Sequence, residues 1–164
     1  MESTKSKTQT IELSVKERIS LVRFIEISST GFADRITLNS VKNELDFSEK
    51  EVRDLKMRDV NAGNGQLTTT WDPKKANNYS KKIYLSKDRD KALRKIIVSL
   101  NKQSRNLVDG FSENIFNVLQ WGKDELKTLS EIVDEMDKNE QITQQNFAVC
   151  KAIKDAKENE SDNK

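Results

Sequence analysis

Lysine is the residue type whose number and spacing point most directly to chemistry in this chain. Residues 74–105 hold eleven Lys or Arg against two Asp, a net of +9. Cations gathered on one surface neutralise successive phosphates and release the counterions condensed there, which is how a protein grips a nucleic-acid backbone. Lys74, Lys75, Lys81, Lys82, Lys87, Lys91, Arg94 and Lys95 are the candidate contacts. The partner they imply is DNA or RNA, held without regard to sequence. Tyr79 and Tyr84 lie within the block and could stack on bases.

A second block competes for these cations. Residues 109–140 hold nine Asp or Glu against three Lys, a net of −6, in a chain whose overall charge is only +2. If a helix over 123–138 lays Glu131, Asp134, Glu135 and Asp137 beside the lysines, the two fields cancel beyond about 8–10 Å, the screening length in physiological salt. The direction in which the 87–102 cationic face points decides between a docking surface and an internal neutralisation.

Catalytic chemistry has little to draw on. The chain has no histidine, which removes the commonest general base, the usual Ser and Cys triads and most zinc sites. Cys150 falls on the apolar side of a helical pattern and reads as a buried structural residue, not a nucleophile. Gly63-Asn64-Gly65 is a turn signal that lacks the following helix of a phosphate-binding loop, and the acids of 131–137 lack calcium-loop spacing. The expectation is a non-enzymatic protein with no cofactor and no metal.

The elements that must position the lysines follow from periodicity. A β-favouring stretch at 10–13 runs into a capping box, Ser14-Val15-Lys16-Glu17, and a helix carrying Ile19, Leu21, Val22, Phe24 and Ile25. A second helix is expected from about Thr37, with Leu38, Val41 and Leu45 on one face. A third follows the capping box at 48–51, with Phe47 and Val52 placed as a hydrophobic staple, and ends before Asn61. After a turn at 61–65, Leu67, Thr69 and Trp71 alternate like a strand, with Trp71 read as a core anchor, and 82–85 is its expected hairpin partner. Strand, three helices and hairpin is the element order of a winged-helix module. Its recognition helix would be 49–59, where Lys50, Arg53, Lys56 and Arg58 alternate with Glu49, Glu51, Asp54 and Asp59. That alternation suits a solvated face better than insertion into a major groove.

The C-terminal half reads as helical throughout. Helices are expected from Ser86 to about Asn101, over 111–119, over 123–138 and over 142–153, the last with Phe147, Cys150 and Ile153 facing inward. At an offset of 36, Lys87/Lys123, Asp88/Asp124, Lys91/Lys127, Leu93/Leu129, Ile96/Ile132 and Lys102/Lys138 are identical. A duplicated helical hairpin would produce this, but so would the shared composition of two Lys-rich amphipathic helices, and composition is the favoured cause. Trp121, beside Gly122 at a helix boundary, either packs between helices or marks a protein interface.

The class expected is α+β, mainly helical: a winged-helix-like module with a small β-hairpin over 10–85, a helical module over 86–156, and flexible tails at 1–9 and 157–164. Hydrophobic residues make up 34%, which allows only a thin core, either of one domain or of two small modules sharing it. The sequence leaves open whether the C-terminal helices pack on the first module. No run approaches the roughly 18 apolar residues of a membrane span, and MESTKSKTQT has no apolar core of a secretory signal. With one cysteine and no possible internal disulfide, a reducing cytoplasm is the expected site, with no membrane partner.

Four segments carry a resemblance: IELSVKERISL (11–21), TLNSVKNELDFSEKEV (37–52), GQLTTTWDP (65–73) and KDELKTLSEIVDEMDKNEQIT (123–143). Together they resemble a loosely defined set of short proteins encoded by tailed bacteriophages, with 86–120 as an added helical insertion. The resemblance implies a phage or prophage origin, a small accessory role and a host cytoplasm or virion as the place of work. It implies no catalytic residues. Two functions remain open at this point. One is backbone-directed nucleic-acid binding through a basic wing and helix. The other is a protein-interaction role, as a virion accessory or an adaptor, through self-association or a host or phage protein.

Overall fold

The structure, a computed structural model, describes residues 9–63 and 65–162. Twelve elements follow one another: β1 (Gln9–Ser14), α1 (Val15–Ile27), α2 (Phe32–Leu45), α3 (Glu49–Leu55), β2 (Arg58–Asn61), β3 (Leu67–Thr70), α4 (Pro73–Ala76), β4 (Ser80–Leu85), α5 (Lys87–Ser104), α6 (Glu113–Val118), α7 (Lys123–Lys138) and α8 (Phe147–Asp162). The protein is α+β and mainly helical, with two antiparallel two-stranded sheets.

Both capping boxes are formed. Glu17 N–H donates to Ser14 Oγ at 3.2 Å while Ser14 N–H donates to the Glu17 carboxylate at 3.0 Å, and Ser48 and Glu51 repeat the exchange at 3.1 and 3.0 Å. The reciprocal bonds satisfy N–H groups that no helical carbonyl reaches, so each helix start is set locally. α2 begins at Phe32 behind Gly31, earlier than Thr37. The Thr37 hydroxyl instead donates back to Ala33 O at 3.3 Å within the helix. Leu38, Val41 and Leu45 are buried as their spacing requires.

The strands pair differently from the expectation. α3 stops at Leu55 because Lys56 turns left-handed (φ 53), and 58–61 then becomes a strand that the helical reading had absorbed. The hairpin is β2 with β3, Arg58 opposite Thr70 and Asn61 opposite Leu67. β4 pairs with β1, Ile83 opposite Ile11 and Leu85 opposite Gln9. Burial explains the choice. Ile83 and Leu85 need a covered face, and Ile11 and Leu13 offer one, whereas no residue of the β2–β3 ribbon is buried. A strand, three helices and a hairpin follow one another as expected, but the hairpin is β2 with β3 and stays apart from the β1–β4 pair, so the two do not join in a single sheet. Trp71, expected as a core anchor, is only half-buried and outside the core cluster.

The core is one cluster running from Ile11 to Ile153 and drawing residues from both 10–85 and 86–156. Leu38, Ile97, Leu129 and Ile153 are fully buried in it, and truncating such a residue to Ala costs about 2–5 kcal/mol. Phe111, Phe116 and Trp121 form an aromatic layer: Trp121 stacks on Phe116 at 5.5 Å and donates its indole N–H to Phe116 O at 2.7 Å. Trp121 therefore packs between helices. α8 begins at Phe147, not 142, and Phe147 is 52% exposed, while Val149, Cys150 and Ile153 face inward. The helix also runs through most of the expected tail at 157–164, to Asp162; 163–164 and 1–8 lie outside the described residues, and Gln9 already belongs to β1. Among the described residues no helix is long and apolar enough to cross a membrane.

Candidate nucleic-acid interface

α5 decides where the positive block points. Ser86 caps it, its Oγ accepting from Arg89 N–H at 3.2 Å, and Leu93, Ile96, Ile97 and Leu100 turn inward. On one side α5 lies antiparallel to α2. Arg89 reaches Glu44 and Ser40 near the end of α2, both at 2.7 Å, and Lys95 reaches Asp34 near its start at 3.2 Å. Arg89 also holds Tyr84 O at 3.0 Å. The hydrogen bond from Arg89 draws the Glu44 carboxyl below its ordinary value; burial opposes this, and the charges of Arg89 and Lys81 add to it.

On the other side α5 meets α7 through apolar residues. Leu126, Leu129, Ile132, Val133 and Met136 of α7 are buried, while Glu131, Asp134, Glu135 and Asp137 face solvent. Asp134 is tied to Lys154 of α8 at 2.7 Å. The acidic face therefore does not cover the lysines, and Lys87, Lys91, Lys95 and Lys102 are all exposed. From Lys87 to Lys102 the ridge runs about 22 Å, at about 1.5 Å per helical residue.

The eight candidate contacts do not form one surface. Lys87, Lys91 and Lys95 share the α5 ridge, and Lys102 extends it. Arg94 does not belong there. Its Nε donates to Asp90 at 2.5 Å and its Nη1 to Glu125 of α7 at 2.6 Å, with the side chain only 17% exposed. Burial disfavours its charge, but the hydrogen bonds to both carboxylates outweigh burial and hold the guanidinium more firmly protonated. Asp90, itself 5% exposed, also accepts Gln120 N–H at 3.1 Å. Arg94 is an internal clamp because it sits at the edge of the apolar stripe, where α7 approaches.

The remaining four lie on other elements. Lys74 and Lys75 are exposed on α4, not on the hairpin; Asp72 caps that turn through Lys74 N–H at 3.0 Å. Lys81 and Lys82 point to opposite sides of the sheet, as successive strand residues must. Lys81 is half-buried on the Ile83 side, and Lys82 is exposed opposite Glu12. Among the described residues no carboxylate makes an ion pair with Lys74, Lys75, Lys82, Lys87 or Lys91. Tyr79 is committed, its hydroxyl donating to Asp54 at 2.8 Å, whereas Tyr84 is 45% exposed on the Lys82 side.

Arg18 went unnoticed in the pattern, although it is 1% exposed. Its Nε and Nη2 donate to Leu45 O, its Nη1 reaches Glu51 Oε2 at 2.7 Å, and its guanidinium lies 3.8 Å from the centroid of the Phe47 ring. That hydrogen bond is the main cause holding the Glu51 carboxyl at about 2, against the opposing effect of burial. Position 18 lies three residues from both Val15 and Leu21 on the buried face, and a cation in an apolar stripe was the available signal. Phe47, expected to staple onto Val52, packs against this cation, and Val52 is 39% exposed.

Other candidates for chemistry are structurally committed. A half-open cleft of about 360 Å³ lies between the start of α1, the 106–112 loop and the α7–α8 connection. Burial pushes the Glu17 carboxyl there up, but bonds from Ser112, Ser14 and Asn114 bring it below its ordinary value. Gly110 (φ 92) permits the close approach of that loop, since a Cβ would sit 2.2 Å from Ser20 Oγ. Burial pushes the Cys150 thiol up, away from the thiolate. Among the described residues no three His, Cys, Asp or Glu side chains are grouped to hold a metal ion. Comparison with known protein families, curated proteins and solved structures gives no match.

Proposed function

We propose that this chain is a non-enzymatic, phage-type accessory protein of the host cytoplasm that binds a nucleic-acid backbone through the α5 ridge. The observation that carries the reading is the exposed stripe of Lys87, Lys91, Lys95 and Lys102, with Asp88 as its one acid, on a helix whose opposite face is packed. Lys82 and the α4 pair Lys74 and Lys75 add exposed positive charge on neighbouring elements. A surface of this kind neutralises phosphates and reads no base edges, so binding is salt-dependent and indifferent to sequence. Fluorescence anisotropy with labelled duplex and single-stranded oligonucleotides across a salt series tests it. The logarithm of affinity falls linearly with that of salt, by about 0.7–0.9 per phosphate neutralised. No binding to either form at low salt ends the proposal.

A second reading rests on the exposure of both charged faces. The ridge of α5 and the acids of α7 are each open to solvent, so they can pair between copies or with another protein in a virion or adaptor role. Light scattering separates the two readings: a strict monomer that binds oligonucleotide favours the first, and a salt-sensitive oligomer that does not bind favours the second.

A further inference from the structure

We infer that the ligand of the α5 ridge is single-stranded nucleic acid, with Phe32 as a stacking platform for its bases; this rests on the backbone-binding reading above. Phe32 is 84% exposed at the first position of α2, and Ile36, one turn on, is 58% exposed on the same outward side. Ile27, at the end of α1, is 59% exposed across the short connection. None of these side chains belongs to the core cluster of the described residues.

Their place relative to the ridge is fixed by two ties. Arg89 binds Glu44 and Ser40 at one end of α2, and Lys95 binds Asp34 at the other. Asp34 is two residues from Phe32, so the aromatic ring belongs to the end of the ridge that carries Lys95 and Lys102. The outward side of α2 between the ties bears Asn39, Ser40 and Asn43, all exposed and uncharged, and both acids that border it are occupied by α5 cations. A phosphate backbone tracking α5 therefore passes one acid, the exposed Asp88 in the first turn of α5, and meets no free carboxylate from α2. It brings its bases toward an exposed aromatic face with isoleucine beside it.

A duplex keeps its bases stacked on one another and offers that ring nothing. A single strand offers a π-face at every base, which makes stacking tolerant of sequence. Lysines along a helix with an adjoining aromatic platform are the combination that single-strand binding requires.

The test is anisotropy at low salt with a labelled oligothymidylate of about 20 nucleotides and a duplex of equal length, using wild type, Phe32→Ala, Phe32→Tyr and Lys87→Glu/Lys91→Glu. The wild type is expected to favour the single strand. Phe32→Ala should weaken single-strand binding about tenfold without changing the salt slope or duplex affinity, and Phe32→Tyr should restore it. The lysine variant should weaken both ligands. Equal wild-type affinity for the two ligands, with Phe32→Ala neutral, overturns this inference and leaves the backbone reading standing. No binding to either ligand overturns both. If Phe32→Ala instead dissolves an oligomer seen by light scattering and leaves oligothymidylate affinity unchanged, the patch is a protein interface and the inference is wrong. Circular dichroism confirms that each variant is folded, as expected for so exposed a position.

Discussion

α5 and α7 are built on one inner pattern and present opposite surfaces. They begin 36 residues apart, at Lys87 and Lys123, and bury equivalent positions: Leu93 and Leu129, Ile96 and Ile132, Ile97 and Val133, Leu100 and Met136. Outside, α5 exposes Lys87, Lys91, Lys95 and Lys102 with a single acid, Asp88, while α7 mixes Lys123, Lys127 and Lys138 with Asp124, Glu131, Asp134, Glu135 and Asp137. The likeness ends where each helix begins. α5 follows a strand, and α7 follows the short α6 and its aromatic layer. Packing constrains the apolar stripe and leaves the solvent side free, so two helices with similar cores can carry different fields. What distinguishes them chemically lies at the boundary between stripe and surface, where α5 has Arg94 and the equivalent position of α7 is Ser130.

The largest effect should fall at that boundary. Arg94→Ala strands Asp90, which is 5% exposed, together with Glu125. The expected loss is about 3 kcal/mol in urea unfolding, the scale for removing one partner of a largely buried ion pair. Ser130→Ala, which removes an acceptor for Lys154 at 2.9 Å, should cost about 1 kcal/mol or less. Equal losses would break the distinction between the two helices.

Binding should fail next. Lys87→Glu/Lys91→Glu/Lys102→Glu reverses the ridge without touching the core or the Lys95–Asp34 tie. It should lower oligonucleotide affinity at low salt at least about tenfold, while each substitution shifts stability by no more than about 0.5 kcal/mol. An unchanged affinity would show that the open face of α5 is only a solvated surface.

These contrasts were partly legible in the residues. Capping boxes and apolar stripes act within one helix, so Ser14, Ser48 and the Leu93/Ile96/Ile97/Leu100 face could be placed from spacing alone. Strand pairing is tertiary: 82–85 had two possible partners, and only the covered face offered by Ile11 and Leu13 decides for β1. The strand 58–61 is short and polar, so no alternation marks it, and the left-handed Lys56 that frees it has no compositional sign. Seven of the eight cations need a three-dimensional address to be sorted into ridge, α4 and sheet. Arg94 needs α7 in place before its inward turn makes sense. Arg18 was the missed opportunity, since its spacing from Val15 and Leu21 already put it inside.

Acid should separate charges used inside the fold from those left outside. The Glu51 carboxyl, bonded by Arg18, sits at about 2 against an ordinary 4.5. A depressed folded-state value means that the stabilisation is complete above about 4.5 and is lost as pH falls toward 2. Glu51 is partly open, with its side chain 23% exposed, so solvent screening keeps the loss below what the shift alone implies. Urea unfolding at stepwise lower pH should show a decline over this window that Glu51→Gln flattens, at the cost of lower stability at neutral pH. An identical pH slope in the two proteins would show that the Arg18 cluster contributes nothing to the acid response.

The smallest effect concerns the acids of α7. Glu131→Lys/Glu135→Lys makes its outer face resemble that of α5 while leaving Leu129, Ile132, Val133 and Met136 in place. If these carboxylates lie more than a screening length of about 8–10 Å from bound phosphate, the change adds general positive charge and little else, and affinity should rise less than about threefold at physiological salt. A rise of about tenfold or more would mean that α7 damps the ridge after all. The opposite-signed blocks would then act as one electrostatic unit, although among the described residues Arg94–Glu125 is the ion pair that joins their helices.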